Sequence, residues 1–368
     1  MAFLGAILPA WGYHRDPPDF AAVGNYFFSL AGGLAVSPAL ARPLLARRGL
    51  GFLLVGACGV SCAALAYLAW VSPPVSEWWR VGGLFALGTG AGLLNVGLFH
   101  RVSDWYGADP AATLSRGGVW YGLGCLAATL LAAVTFTAYT VPSVLIFMAL
   151  VPAMFAGRYS QALGAQRFHA AHSSLRQAFP DFRSAGAILF ALLLFFQFGN
   201  EWSIAGWLPL FVIRRVGLSP TNALLVLALY WLLLLLGRVI AISILPRVRH
   251  GRLLLGSVFS ALAGCLILFF TNNGFGAASG VLLLAGGYAS IYPLVAEAIG
   301  RRFPYYHPGF FNGIFSIALF GGLLAPATVG YAAARFGVGV VVGIPLLGSF
   351  MVLVLLSLIW LESKVTGR

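Results

Sequence analysis

Long apolar runs of about twenty residues alternate along the chain with short polar clusters, the spacing expected of helices that cross a bilayer. The runs predict spans over 19–45, 51–71, 79–100, 117–137 and 141–155, then over 185–213, 221–244, 253–271, 276–299, 309–334 and 338–361. Residues 1–13, MAFLGAILPAWGY, are apolar too, but that length of helix reaches only ~20 Å against a hydrocarbon core of ~30 Å. They lack the basic region and cleavage site of a signal peptide and read as half of a first span, whether the chain begins in mid-bilayer or its start codon was assigned late. The expected fold class is an all-α polytopic membrane protein of twelve spans, the first truncated. One long polar stretch, 158–184, interrupts the pattern. It divides the chain into an N-terminal helical bundle, 1–157, a linker, and a C-terminal helical bundle, 185–368.

Composition agrees with the pattern. Of the 368 residues, 60% are hydrophobic and 8% charged, against about 25% charged in a soluble domain. The net charge of +13 is almost all arginine, Lys364 being the one lysine, and it sits in short turns rather than in a patch. That is a topology signal and not a nucleic-acid site. Arg42, Arg47, Arg48, Arg101, Arg116, Arg158, Arg167, Arg176, Arg183, Arg247, Arg249, Arg252, Arg301, Arg302, Lys364 and Arg368 fall on the linker's side, with Arg15, Arg80, Arg214, Arg215 and Arg335 on the other. The bias places the linker and both termini in the cytoplasm, in a bacterial inner membrane. Cys58, Cys62, Cys125 and Cys265 lie within apolar runs as small core residues, without the His or acidic neighbours of a metal site. No disulfide, metal or cofactor is expected.

The halves also repeat. Leu44-Leu45-Ala46-Arg47 with Leu53-Leu54 matches Ile244-Leu245-Pro246-Arg247 with Leu253-Leu254, each in the turn after the second helix of its half. Gly118-Val-Trp-Tyr-Gly122 echoes Gly309-Phe-Phe-Asn-Gly313 at the start of each fifth helix. Two parallel repeats place a binding site at the midplane between them.

With these features the sequence resembles the major facilitator superfamily, and within it the fucose permease group of sugar/proton symporters. GNEWSIAGWLPLFVI is similar to that group's seventh-helix Gly-x-Glu-x-Ser-Ile signature, GYASIYPLVAEAIGRRFP to its tenth helix and FFNGIFSIALFGGLLAPATVGY to its eleventh. The resemblance implies a secondary active transporter working by alternating access, with a sugar and a proton as cargo. Three departures stand out. The turn ARPLLARRG lacks the aspartate that usually accompanies its arginines, neither the first nor the fourth helix holds the membrane carboxylate that relatives carry there, Asn95 being in the fourth, and the first helix is incomplete.

Candidate chemistry centres on Glu201, well inside an apolar segment where an ionised carboxylate costs at least ~2.5 kcal/mol. In a low-dielectric cavity it could take up and release the coupling proton as access alternates; the bland alternative is a structural carboxylate bonded to the eighth or eleventh helix. Gln197, Asn200 and Glu201 share one stripe of a helix with Trp207 beside it, so the polar groups are expected to point one way. For a sugar, Gln197, Asn200, Asn95 and Asn312 offer amides, and Trp207, Trp120, Tyr121, Tyr288 and Tyr292 offer rings, each of which could equally be ordinary packing. Glu297 stands four residues before Arg301, an ion pair or gate contact. Arg238 is expected to snorkel or to meet a loop carboxylate, with gating as the rival role. Arg47, Arg247 and Arg301 complete the gating candidates. The function expected is transport of a small polar solute, a sugar being the class the resemblance implies, with a proton, through a monomer in the lipid bilayer. Efflux of an amphipathic compound and a transport-inactive sensor are the alternatives. An intramembrane enzyme would need a deep His or Asp/His pair, which the sequence lacks.

Overall fold

A chain in hydrocarbon must satisfy its backbone hydrogen bonds internally, and the apolar runs do so as helices. The computed structural model describes residues 1–16, 18–106, 110–162, 184–244, 247–303 and 313–366. Its helices are α1 (Ala2–Ile7), α2 (Phe20–Trp70), α3 (Glu77–Tyr106), α4 (Pro110–Ala133), α5 (Val141–Ala162), α6 (Ala185–Phe211), α7 (Pro220–Ile244), α8 (His250–Phe270), α9 (Gly274–Arg302), α10 (Gly313–Phe336) and α11 (Val340–Thr366). Among the described residues, ten helices, α2 to α11, are long and apolar enough to cross a membrane. The protein is an integral membrane protein.

The 51 residues of α2 would reach ~76 Å if straight, more than twice a bilayer core. They bend at Gly49, whose φ of 85° suits a residue without a side chain. The spans predicted over 19–45 and 51–71 are the two arms. Helix α3 fixes their directions: Gly88 and Gly92 meet Leu30 and Ser37 of the first arm in ascending order, while Gly90 and Gly97 meet Ser61 and Leu54 of the second in descending order. The arms are therefore antiparallel. Arg47 stays helical and exposed in the last turn before the bend, so the open turn expected there is a single residue wide. A second correction concerns α5, which the sequence ends at 155 after Pro152; the helix continues through that proline to Ala162. In a bundle the carbonyl freed by a proline finds other partners, and the helix need not stop.

We call the side where α5 ends and α6 begins the linker face, and the opposite side the far face. Packing pairs α2 with α3 and α5, α6 with α10 and α11, and α8 with α9; the halves of the chain meet where α2 packs on α10, α4 on α7 and α1 on α6. At the far face the joins are polar and close. Arg214 Nη2 lies 2.6 Å from Asp16 Oδ1, its Nη1 donates to the His14 carbonyl at 3.3 Å, and Tyr331 Oη donates to Asn25 Oδ1 at 2.6 Å. A Cβ on Gly330 would stand 2.6 Å from the Gly24 Cα, so α10 and α2 cross backbone to backbone. One apolar core runs through both halves here, whereas Ala41, Leu45, Leu50, Leu53, Leu54, Ala57, Leu93 and Val96 form a separate core at the linker end of the N-terminal half. The halves share a core at the far face and divide towards the linker face.

Arg80, counted above among surface charges, is 5% exposed. Its Nε donates to Tyr26 Oη at 2.7 Å, its Nη1 to the Val75 carbonyl at 2.7 Å and its Nη2 to Tyr13 Oη at 3.2 Å, with the guanidinium 5.6 Å from the Trp11 ring centre. The far end of the N-terminal half is tied together by this one side chain.

Two outcomes follow from this packing. Adding a methyl at Gly33 drives it onto the Phe85 carbonyl and to within 2.6 Å of the Thr89 nitrogen, whereas at Gly56 a Cβ meets open space. Gly33→Ala should lower stability by about 1–3 kcal/mol and Gly56→Ala should not, as read by thermal unfolding in detergent; equal melting temperatures would refute the close contact. At the far face Arg214 holds the Asp16 carboxyl below its ordinary 3.8 through a hydrogen bond and its charge. A depressed value means the contact persists above 3.8 and is lost only as pH falls through the lower folded value. Spin-label distances between the far ends of α2 and α10 should stay constant between about pH 8 and pH 5 and widen in Asp16→Asn; widening of the unmutated protein within that range would contradict the assignment.

Candidate functional site

The apolar length of α6 carries Glu201 to mid-depth, and there it meets a cation. Arg238 Nη2 of α7 lies 3.4 Å from Glu201 Oε1, with both side chains 7% exposed. Arg238 Nη1 donates to the Gly118 carbonyl of α4 at 2.8 Å. One guanidinium thus touches both halves of the chain. Gly118 is small for a reason: a Cβ there would stand 2.7 Å from Arg238 Nη1. The expected snorkelling or loop partner for Arg238 is corrected by this geometry, since antiparallel α6 and α7 bring the two charges level, and a buried charge needs its counterion nearby.

Buried polar atoms without partners occur on the same three helices. Gln197, one turn before Glu201 on α6, is 1% exposed and approaches the carboxylate, yet neither end of its amide meets hydrogen-bond geometry. Trp231 Nε1 and Ser115 Oγ are buried without partners as well. Trp231 lies two turns from Arg238 on the same face of α7, and Ser115 lies one turn from Gly118 on α4. Tyr121 and Cys125 on α4 and Tyr292 on α9 are close enough for the pair's charges to act on them. Tyr121 sets its ring edge on Trp231 at 5.9 Å, Tyr292 meets Phe198 at 4.9 Å, and Tyr230 Oη donates to the Glu201 carbonyl at 3.5 Å. Sequence reading missed Trp231, Ser115 and Tyr230. The seven-residue spacing of Trp231 and Arg238 was the available signal.

Other candidates go elsewhere. Asn200 does not point with Glu201: its Nδ2 donates to Ser349 Oγ of α11 at 3.4 Å, and Ser349 is 3.3 Å from Tyr288 Oη and 3.8 Å from Cys265 Sγ. Adjacent helical residues diverge by 100°, so Asn200 and Tyr288 join a buried polar cluster between α6, α8, α9 and α11. Trp207 is fully buried, donates from Nε1 to the Pro326 carbonyl at 2.8 Å and packs its ring 5.6 Å from Phe27 across the junction of the halves. Trp120 is 76% exposed on the outer surface of α4, and Asn95 is half-buried on α3. Asn312 lies outside the described residues. Glu297 bonds Arg301 as the spacing predicts and also His250 Nδ1 at 3.0 Å, all within the C-terminal half at the linker face. Arg247 is exposed in the turn between α7 and α8. Four free cysteines are present, and among the described residues no cluster of His, Cys, Asp and Glu fits a metal ion.

Comparison with known proteins gives this architecture a family. An uncharacterised MFS-type transporter of Yersinia pestis is 25% identical over 159 residues, a match taking in 43% of this chain and about two fifths of that relative, 41%. Among solved structures, a D-xylose-proton symporter superposes with a TM-score of 0.74 at 15% identity, covering 98% of this chain and 93% of that one. The nucleoside transporter NupG gives 0.68 at 14%, covering 99% and 97%. A variant of the E. coli fucose:proton symporter FucP gives 0.63 at 15%, covering 97% and 96%. These likenesses establish the fold. Residues 101–326, more than half of the chain, match the family model of the Major Facilitator Superfamily, and the chain belongs to that superfamily of membrane transporters.

Proposed function

We propose that the chain carries a small polar solute, of the sugar class, across the bacterial inner membrane together with a proton bound at Glu201. The observation that carries this reading is the buried Glu201–Arg238 pair, held at 3.4 Å by one bond and bordered by the unpartnered Gln197 amide where α6 and α7 meet α4. A carboxylate at this depth can change its charge state when its surroundings open, and the open amide, indole and hydroxyl suit a ligand with several polar groups. Two bundles, 1–157 and 185–368, rock about the site, the linker between them and both termini being cytoplasmic. In this reading the chain forms twelve spans with α1 as part of the first, works as a monomer, and needs neither cofactor nor nucleic acid. The far-face contacts and shared core support a state closed to the outside, with the halves divided towards the cytoplasm. The relatives of this fold that move xylose, fucose or nucleosides with such an architecture support the solute class.

Proton flux driven by solute in proteoliposomes tests the reading. A solute that acidifies the lumen in the unmutated protein should fail to do so in Glu201→Gln, while the solute still equilibrates slowly. Thermal unfolding of the double variant Glu201→Gln/Arg238→Gln, which removes both charges, controls for folding. Unchanged proton flux in a folded Glu201→Gln protein would defeat the role given to Glu201.

A further inference from the structure

The charges at the site constrain what the solute can be. Glu201 and Arg238 are the two oppositely charged side chains brought together at mid-depth, so the site is neutral when both are ionised. Their contact is a single 3.4 Å bond, longer than the ~2.7–2.9 Å of a strong charge-assisted hydrogen bond. A contact of this length has less to lose on parting than a closed one. On the helices that carry it, the unpartnered groups are the Trp231 indole, which donates only, and the Gln197 amide and Ser115 hydroxyl, which can donate or accept. When Glu201 takes a proton, the guanidinium loses its counter-charge in a place where an uncompensated ion is strongly disfavoured. A neutral sugar cannot replace that charge.

Resting on the transport reading above, we infer that the solute is a small polar monoanion, a sugar acid or similar hydroxycarboxylate, whose carboxylate takes Glu201's place on Arg238 while Glu201 carries the proton. The cycle balances. A proton from outside bonds to a Glu201 oxygen, the Arg238–Glu201 contact breaks, and the solute carboxylate pairs with Arg238. On the cytoplasmic side the solute leaves, Glu201 gives its proton to water and pairs with Arg238 again. One negative charge and one positive charge cross together, so no net charge moves. The hydroxyls of the solute answer the Gln197 amide and the donors of Trp231 and Ser115.

Every element packed around Glu201 fits this count. On α7 it faces Arg238 and Tyr230, on α4 Tyr121 and Cys125, on α9 Tyr292, and on its own helix Gln197. Helices α10 and α11 bring Gly321 near Gly199 and Ser349 near Asn200 at this depth, and their charges, Arg335, Glu362 and Lys364, stand in the last turns.

The test uses the full chain in proteoliposomes with labelled D-gluconate, D-glucuronate and D-glucose as probes. With the outside acid, one pH unit should concentrate at least one of the two acids up to about tenfold over protein-free liposomes, and leave glucose at equilibrium. Clamping the membrane potential with potassium and valinomycin should not change that ratio, whereas movement of one net charge would alter it about fiftyfold per 100 mV. In Glu201→Gln, exchange of labelled for unlabelled acid should persist while accumulation is lost; in Arg238→Gln both should be lost, with Arg238→Lys restoring part. The potential measurement needs no mutant, so a variant that fails to fold leaves the inference exposed to refutation. Accumulation of glucose with inward current, and not of the acids, overturns the anion and leaves proton-coupled transport standing. Accumulation of neither class by folded protein overturns both readings.

Discussion

Neither Glu201 nor Arg238 can remain ionised in the dry middle of this protein without the other. Removing one partner of such a pair costs about 3–5 kcal/mol, because the survivor is left as an isolated charge. Much of the local architecture answers that constraint. Helices α6 and α7 run antiparallel, which levels two residues that enter from opposite faces. Helix α4 comes close enough to lend the Gly118 carbonyl to the guanidinium, at 2.8 Å, and the missing side chain at Gly118 is what allows it. A contact that joins α6, α7 and α4 joins the two halves of the chain at the same depth.

The other buried arginine is stabilised in a different way. Arg80 has two tyrosine hydroxyls and two carbonyls for its donors, and its guanidinium lies 5.6 Å and 5.7 Å from the rings of Trp11 and Tyr26. Desolvated cation–π contacts of this kind contribute about 2 kcal/mol. Arg80 therefore binds the far end of one half to itself, through neutral partners that give it no reason to let go. Arg238 instead has a charged partner at 3.4 Å whose protonation would release it, beside a 2.8 Å bond to the Gly118 carbonyl.

The helical spans could be read in the sequence because a bilayer imposes a length and a composition on every one of them, and Glu201 could be read because an acidic residue among AILFALLLFF and GWLPLF has no cheap place to be. Local pattern ends there. The partner of Glu201 is 37 residues away on another helix, and that of Asn200 is 149 residues away, so only the packing of helices could pair them. Asn200 and Glu201 looked alike as deep polar neighbours; one helical step turned them towards different helices. Trp120 and Tyr121 also divided, Trp120 lying 76% exposed while Tyr121, about half exposed, sets its ring against Trp231. Gly49 alone ended one span and began the next, which composition could indicate as a turn but not as a bend inside continuous helix.

Position relative to water separates the ion pairs in consequence as well. Glu297 with Arg301 and His250, and Arg302 with Glu362, lie at the linker face, where Arg301 is exposed and the other members are partly buried near the helix ends. They fasten helix ends of the C-terminal half together. At mid-depth the same chemistry has no solvent to fall back on. Protonating Glu201 there must be answered by something: a rearranged helix, admitted water, or an anion brought by the cargo. The Gln197 amide lies one turn away, buried, beside the carboxylate and short of hydrogen-bond geometry. Of the three answers, an arriving ligand is the one that satisfies both the amide and the guanidinium at once.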